Sequence, residues 1–173
     1  MKETLILYFS RKGNNYYKGS IVDLKKGNTK VFAEKVHNLN DADLFEIKTV
    51  KQYALDYYEC TEESKTEMHE NARPELVAYP NSIEKYDSII LAYPNWWNTM
   101  PMAVWTLLEQ FDFLNKHIYP VCTHEGSGLG NSVSDIKKLC PNAIVETGLA
   151  LKGSQVENSD KQIQTWLKER GLM

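Results

Sequence analysis

Short apolar runs alternate with longer amphipathic stretches along this chain. Residues 4–9, 44–50, 87–93, 118–122 and a segment within 143–151 read as strands. Helical spacing separates them at 28–39, 56–71, 102–113, 131–139 and 157–170. Val31, Phe32, Val36 and Leu39 share a face in the first of these helices, and Ile163, Trp166 and Leu167 in the last. Gly171 supplies a stop signal, and Pro101 suits a first helical turn. Strands that alternate with helices form a parallel sheet, and such a sheet is covered on both faces. Right-handed crossovers then leave few arrangements, of which the doubly wound ones are commonest. The expected fold is therefore α/β, with three layers around a five-stranded, doubly wound parallel sheet. No repeat or low-complexity linker divides the chain, so residues 1–173 are expected to form a single domain.

Two segments break the pattern. Residues 11–27 are far longer than a usual strand-to-helix loop and are rich in Gly, Asn, Lys and Tyr. This inserted loop is expected to be an ordered flap, with Ile21-Val22-Asp23-Leu24 as a small strand. Gly13 to Ser20 nearly spells a nucleotide-binding P-loop, but it reads Lys18-Gly19-Ser20 where that motif needs Gly-Lys-Ser, so ATP or GTP hydrolysis is not supported. The helix at 56–71 carries many charges and few apolar residues, and its charge run reads as a solvated face.

Composition removes several functions. A net charge of −3 and a pI near 5.8 argue against non-specific nucleic-acid binding. The three cysteines, Cys60, Cys122 and Cys140, show no CxxC spacing, and the four histidines are scattered. Neither a disulfide framework nor a metal site is indicated, and a cytoplasmic protein is expected. The apolar stretch at 5–9 is too short for a signal core, and no run approaches membrane-spanning length.

In an open α/β sheet, ligands sit beyond the carboxyl ends of the strands, where strand order reverses. Three polar turns fall on that edge. Ser10 and Arg11 follow the first strand, with Gly27-Asn28-Thr29 opening the first helix. Free N–H groups and the positive end of the helix dipole there suit an anion such as phosphate, although N-capping alone also accounts for Asn28 or Thr29. Pro94, Asn95, Trp96, Trp97, Asn98 and Thr99 follow the third strand. Two adjacent tryptophans on one turn cannot both enter one core, so at least one faces a cleft where it can stack on a planar ligand. Thr123, His124, Glu125, Gly126, Ser127 and Gly128 follow the fourth strand. Its glycines permit close backbone approach, while His124 and Glu125 read by default as a surface pair.

Leu7-Tyr8-Phe9-Ser10, Gly27-Asn28-Thr29, the stretch from Tyr93 to Pro101 and the Thr123-to-Gly128 segment together resemble the flavodoxin-like family, in its bacterial group with an extended first loop. The resemblance spans essentially the whole chain and implies strand order 2-1-3-4-5 and bound FMN. It implies that Ser10, the Arg11 backbone, Asn28 and Thr29 hold the phosphate. Pro94, Asn95, Trp96, Trp97, Asn98 and Thr99 would wall the isoalloxazine; Thr123, Glu125, Gly126 and Ser127 would line its other side. A backbone carbonyl at Trp97 or Asn98 would accept from flavin N5–H, and the loop's cations would lie near the phosphate. No residue is nominated as catalytic. The functions implied are electron transfer through the flavin to redox partner proteins or a small-molecule acceptor, or NAD(P)H-dependent flavin or quinone reduction. A flavin-free protein-binding module on the same fold is the third reading.

Overall fold

The computed structural model describes residues 3–173. Strand β1 (Thr4–Tyr8) leads into a hairpin of β2 (Gly13–Tyr17) and β3 (Ser20–Leu24), then helix α1 (Asn28–Asn40) and strand β4 (Asp43–Glu46). Helix α2 (Tyr57–His69), strand β5 (Ser88–Pro94), helix α3 (Met102–Leu108), strand β6 (His117–His124) and helix α4 (Ser132–Leu139) follow. Two short strands, β7 (Ile144–Val145) and β8 (Leu149–Lys152), a 3-10 turn (Gly153–Asn158) and helix α5 (Asp160–Glu169) complete the order.

The central sheet runs β4-β1-β5-β6-β7, with β8 also on β6, and every pairing is parallel. It has six strands where five were expected. The last strand is split: β7 pairs with His117 and Ile118 at the start of β6, and β8 with Val121 to His124 at its end. Between them Gly148 passes so close to Leu129 that a β-carbon there would lie 2.9 Å from a leucine methyl. The hairpin forms a separate two-stranded sheet, which renumbers every later strand.

Side-chain alternation divides the core into two layers. Leu5, Leu7, Ile89, Leu91 and Ile118 face α3 and α4 through Ala103, Val104, Leu107 and Ile136. Ile6, Tyr8, Ile90, Ala92 and Val121 face α1 and α5 through Phe32, Val36, Ile163 and Leu167. The central strands are buried on both faces, as their unbroken apolar runs require.

Several boundaries moved for local reasons. The first strand stops one residue short of the expected Phe9. Helix α3 ends at Leu108 rather than 113, and the Asp112 carboxylate then accepts the Leu114 N–H, fixing a turn. Pro101 caps this helix instead of entering it. The 3-10 turn takes the first part of the stretch expected as one helix at 157–170. Strand β4 leaves the sheet after Glu46, while Thr49 makes an isolated bridge with Leu76. Among the described residues, no helix is long and apolar enough to cross a membrane.

Candidate functional site

Strand order reverses between β1 and β5, and the chain diverges there into a cavity of about 540 Å³. That volume lies within the range of small-molecule sites. The cavity is lined by every nominated residue except Thr99: Ser10, Arg11, Asn28, Thr29, the 94–98 turn, and Thr123, Glu125, Gly126 and Ser127.

One end is built for an anion. Residues 11–26 separate Ser10 from Gly27 in the chain, yet the two meet. A β-carbon on Gly27 would lie 2.2 Å from Ser10 Oγ and 2.6 Å from the Arg11 carbonyl. Gly27 cannot cap α1 with a side chain, and Ser10 does so across the gap, its Oγ accepting the Lys30 N–H at 3.1 Å. Val31 makes the first intrahelical bond, to Gly27 O. The Asn28 and Thr29 N–H groups therefore project from the helix end, where the dipole favours negative charge. The buried Thr29 hydroxyl bonds the Thr123 hydroxyl at 2.8 Å, tying this turn to the one after β6.

The insert brings cations to the region in a different way from that expected. Lys12, Lys18, Lys25 and Lys26 are exposed and do not line the cavity. Arg11 does line it, but its guanidinium is held by the carbonyls of Asn14, Ala54, Leu55 and Asp56. The insert is thereby fastened to the loop before α2, and Arg11 is not a direct phosphate clamp.

Trp97 and Asn98 form a tight two-residue turn with φ values of 55° and 71°, closed by mutual bonds between Trp96 and Thr99. Asparagine accepts that backbone readily; tryptophan rarely does, so Trp97 carries strain at the site. The paired indoles have different jobs. Trp96 is wedged edge-on between Phe9 and Tyr53, with centroids 5.1 and 5.0 Å away. Trp97 is 42% exposed, and its indole N–H donates to Ser64 Oγ at 3.0 Å. It supplies the exposed aromatic surface.

One expectation for these turns needs correction, that Thr99 lines the cavity, and other nominated groups serve the scaffold as well. The Asn98 carbonyl accepts the Asn131 N–H at 2.7 Å, which ties this turn to the start of α4, whereas no backbone bond to the Trp97 carbonyl is seen among the described residues. Thr99 lies outside the cavity, buried, with its hydroxyl donating to Asp135 at 2.6 Å. Glu125 lines the cavity, but its carboxylate accepts both the N–H and the hydroxyl of Ser154, at 2.7 and 3.1 Å. It is a brace for the 3-10 turn. Asn95 is another brace, accepting from Asn98 N–H and donating to Gly128 O. His124 accepts the Gly126 N–H through Nδ1, and burial pushes its pKa down, which disfavours the charged ring. The Thr99 assignment is checked by Thr99→Val, expected to lower stability by roughly 1.5–3 kcal/mol through loss of a charge-assisted bond. Flavin affinity of the folded variant should match wild type by titration.

A fourth wall was missed in the sequence. Tyr57, Cys60, Thr61 and Ser64 of α2 line the cavity, and hairpin residues Asn15 and Tyr16 adjoin them. The signal was a stripe of small or uncharged residues at spacing i, i+3, i+4 and i+7 within a charged helix. Burial pushes the Cys60 thiol up to about 11, so it stays protonated.

A model of the Flavodoxin family matches residues 21–170. The chain belongs to the flavodoxin family. Among solved structures, this flavodoxin-family chain is similar to a Bacteroides eggerthii protein assigned as a flavoprotein, with 27% identity, coverage of 97% of each chain and a TM-score of 0.77. A Bacteroides uniformis protein with the same assignment has 27% identity, a TM-score of 0.76, and coverage of 96% of this chain and 98% of its own. A Lactobacillus acidophilus flavoprotein solved in complex with FMN shares the fold at 24% identity and a TM-score of 0.65, covering 91% of this chain and 98% of its own. No protein of curated function matches the sequence.

Proposed function

We propose that this protein binds FMN and transfers electrons through it, to a protein partner or a small acceptor. The carrying observation is the cavity that joins an anion cradle to an aromatic wall across the sheet's reversal point. The residues present fit the coenzyme. Ser10, Asn28 and Thr29 offer hydroxyl, amide and N–H groups to a phosphate, and the close approach at Gly27 leaves no side chain in the way. Trp97 offers a flat face to the ring system, and the turn at Gly126 and Ser127 offers backbone to its polar edge. The FMN complex of the Lactobacillus acidophilus relative supports the same choice of ligand.

When bound, the flavin supplies the redox chemistry; the protein holds it, shields it and adjusts its charge environment. Trp96, Trp97 and the α2 face exclude water from one side of the cleft. Asn95, Glu125 and the Thr29–Thr123 bond hold the three turns in mutual register. The site is read as that of a carrier or a simple reductase, because the bound flavin would itself supply the redox chemistry.

The test is a titration of the purified protein with FMN. Visible absorption should show saturable one-to-one uptake, with flavin emission quenched by contact with an indole and partly restored in Trp97→Ala. A protein that stays colourless and leaves added FMN unquenched sinks the reading and favours a flavin-free binding module. Anaerobic mixing of the loaded protein with NADPH then separates the two redox roles. Rapid bleaching identifies a reductase, and dependence on a second protein identifies a shuttle.

A further inference from the structure

We propose that Arg11 is a fixed, uncancelled positive charge in the cleft wall, and that it acts on charge arriving at the flavin ring rather than on the phosphate. The inference rests on the FMN reading above and assigns Arg11 a positioning and electrostatic role.

Its geometry carries the case. The Nε and Nη2 groups donate to Ala54 O at 3.2 and 2.7 Å, and Nη2 also reaches Leu55 O at 2.8 Å and Asp56 O at 3.3 Å. Nη1 donates to Asn14 O. The donor fork is thus turned toward the backbone at 54–56 and cannot also grip a phosphate in two-pronged fashion. Carbonyl oxygens satisfy N–H donors but carry no net charge. Among the described residues no carboxylate pairs with Arg11. The full charge therefore remains.

That charge is singular at this site. Among the described residues Arg11 is the only lysine or arginine lining the cavity. Lys26 pairs with Glu34 and Lys30 with Glu46, both outside the cavity lining. The one lining carboxylate, Glu125, is tied to Ser154. The field of Arg11 reaches into the cleft: it counters the upward push of burial on both Tyr57 and Cys60, which line the α2 wall. An electron taken up by a ligand beside that wall brings negative charge, which a fixed cation stabilises.

The experiment is spectroelectrochemical titration of FMN-loaded wild type, Arg11→Gln and Arg11→Lys, with FMN and riboflavin affinities measured alongside. Arg11→Gln is expected to disfavour the fully reduced flavin about tenfold, a fall of about 59 mV in its second one-electron couple. FMN and riboflavin should weaken by similar factors. Arg11→Lys keeps the charge but reaches fewer carbonyls, so its potential should stay near wild type even if its melting temperature falls.

Three results overturn the proposal: an unchanged potential in Arg11→Gln, an equal shift in Arg11→Lys, or a loss of FMN affinity that riboflavin does not share. The last would make Arg11 a phosphate residue. Should Arg11→Gln fail to fold, Arg11→Met, which keeps the apolar stem and removes the charge, takes its place in both measurements. Wild type that takes up neither flavin overturns the function itself, whereas normal uptake with an unmoved potential overturns only this inference.

Discussion

Phe32→Ala is expected to lower the unfolding free energy by about 3–5 kcal/mol, the largest single-residue effect we anticipate. Phe32 is fully buried on the inner face of α1, against the layer that includes Val36, Ile163 and Trp166. Its ring meets Trp166 edge-to-face, with centroids 6.3 Å apart. Deleting it loses both the transfer energy and the contacts of a close-packed interior that can only partly collapse. For a chain of this length that corresponds to a fall of roughly 10 °C in melting temperature. The same helix carries Asn28 and Thr29 at its start, so loosening its seat on the sheet should also weaken flavin binding below the melting transition. Chemical denaturation with and without FMN checks both statements. A loss below about 1 kcal/mol would mean that α1 is not held by this contact.

Gly27→Ala is expected to weaken FMN binding by roughly tenfold to a hundredfold while leaving most of the fold in place. The new methyl would sit 2.2 Å from Ser10 Oγ and 2.6 Å from the Arg11 carbonyl. Backbone cannot yield as a flexible side chain can, so β1's exit and the start of α1 must separate. Overpacking of this kind costs about 1–3 kcal/mol. If the cost appears as displacement of the Asn28 and Thr29 N–H groups, it converts to that affinity range. Gly27 has an ordinary φ of −65°, so strained backbone does not account for the effect. Isothermal titration with FMN and with riboflavin reads the outcome. A phosphate-end defect should spare riboflavin, and equal losses for both ligands would argue against the cradle.

Much of the architecture was legible because burial on two faces leaves a plain mark. Segments such as Ser88–Pro94 and His117–His124 could only be interior strands, and the glycine and proline punctuation between them set the order. The long insert was legible as an anomaly but not as a hairpin. Only Ile21 to Leu24 had an apolar signature, and its antiparallel partner Gly13–Tyr17, which reads Gly-Asn-Asn-Tyr-Tyr, did not alternate as a strand does. Its turn, Lys18-Gly19 with φ of 51° and 84°, is a common hairpin closure that the near-match to a P-loop obscured.

The cavity lining was legible wherever residue type coincided with a strand end or a helix start, as at Ser10, Thr29, Trp97 and Thr123. Residue type misled at Thr99, which is buried outside the cavity, and it did not show that Asn95 and Glu125, which line the cavity, also brace their own scaffold. The α2 wall failed for the opposite reason. Its glutamates dominate any reading of the helix, and the neutral stripe of Cys60, Thr61 and Ser64 is too weakly apolar to register as an inward face.

The meeting of Ser10 with Gly27 has a use beyond ligand capture. Because the two ends of the 11–26 excursion are locked side by side, its Lys18-Gly19 tip, where a β-carbon on Gly19 would meet nothing within 4 Å, can change while Arg11, Asn15 and Tyr16 keep their places in the cavity wall. An engineer can therefore graft a dye-labelling tag at the Lys18-Gly19 tip to report on events a short distance from the flavin.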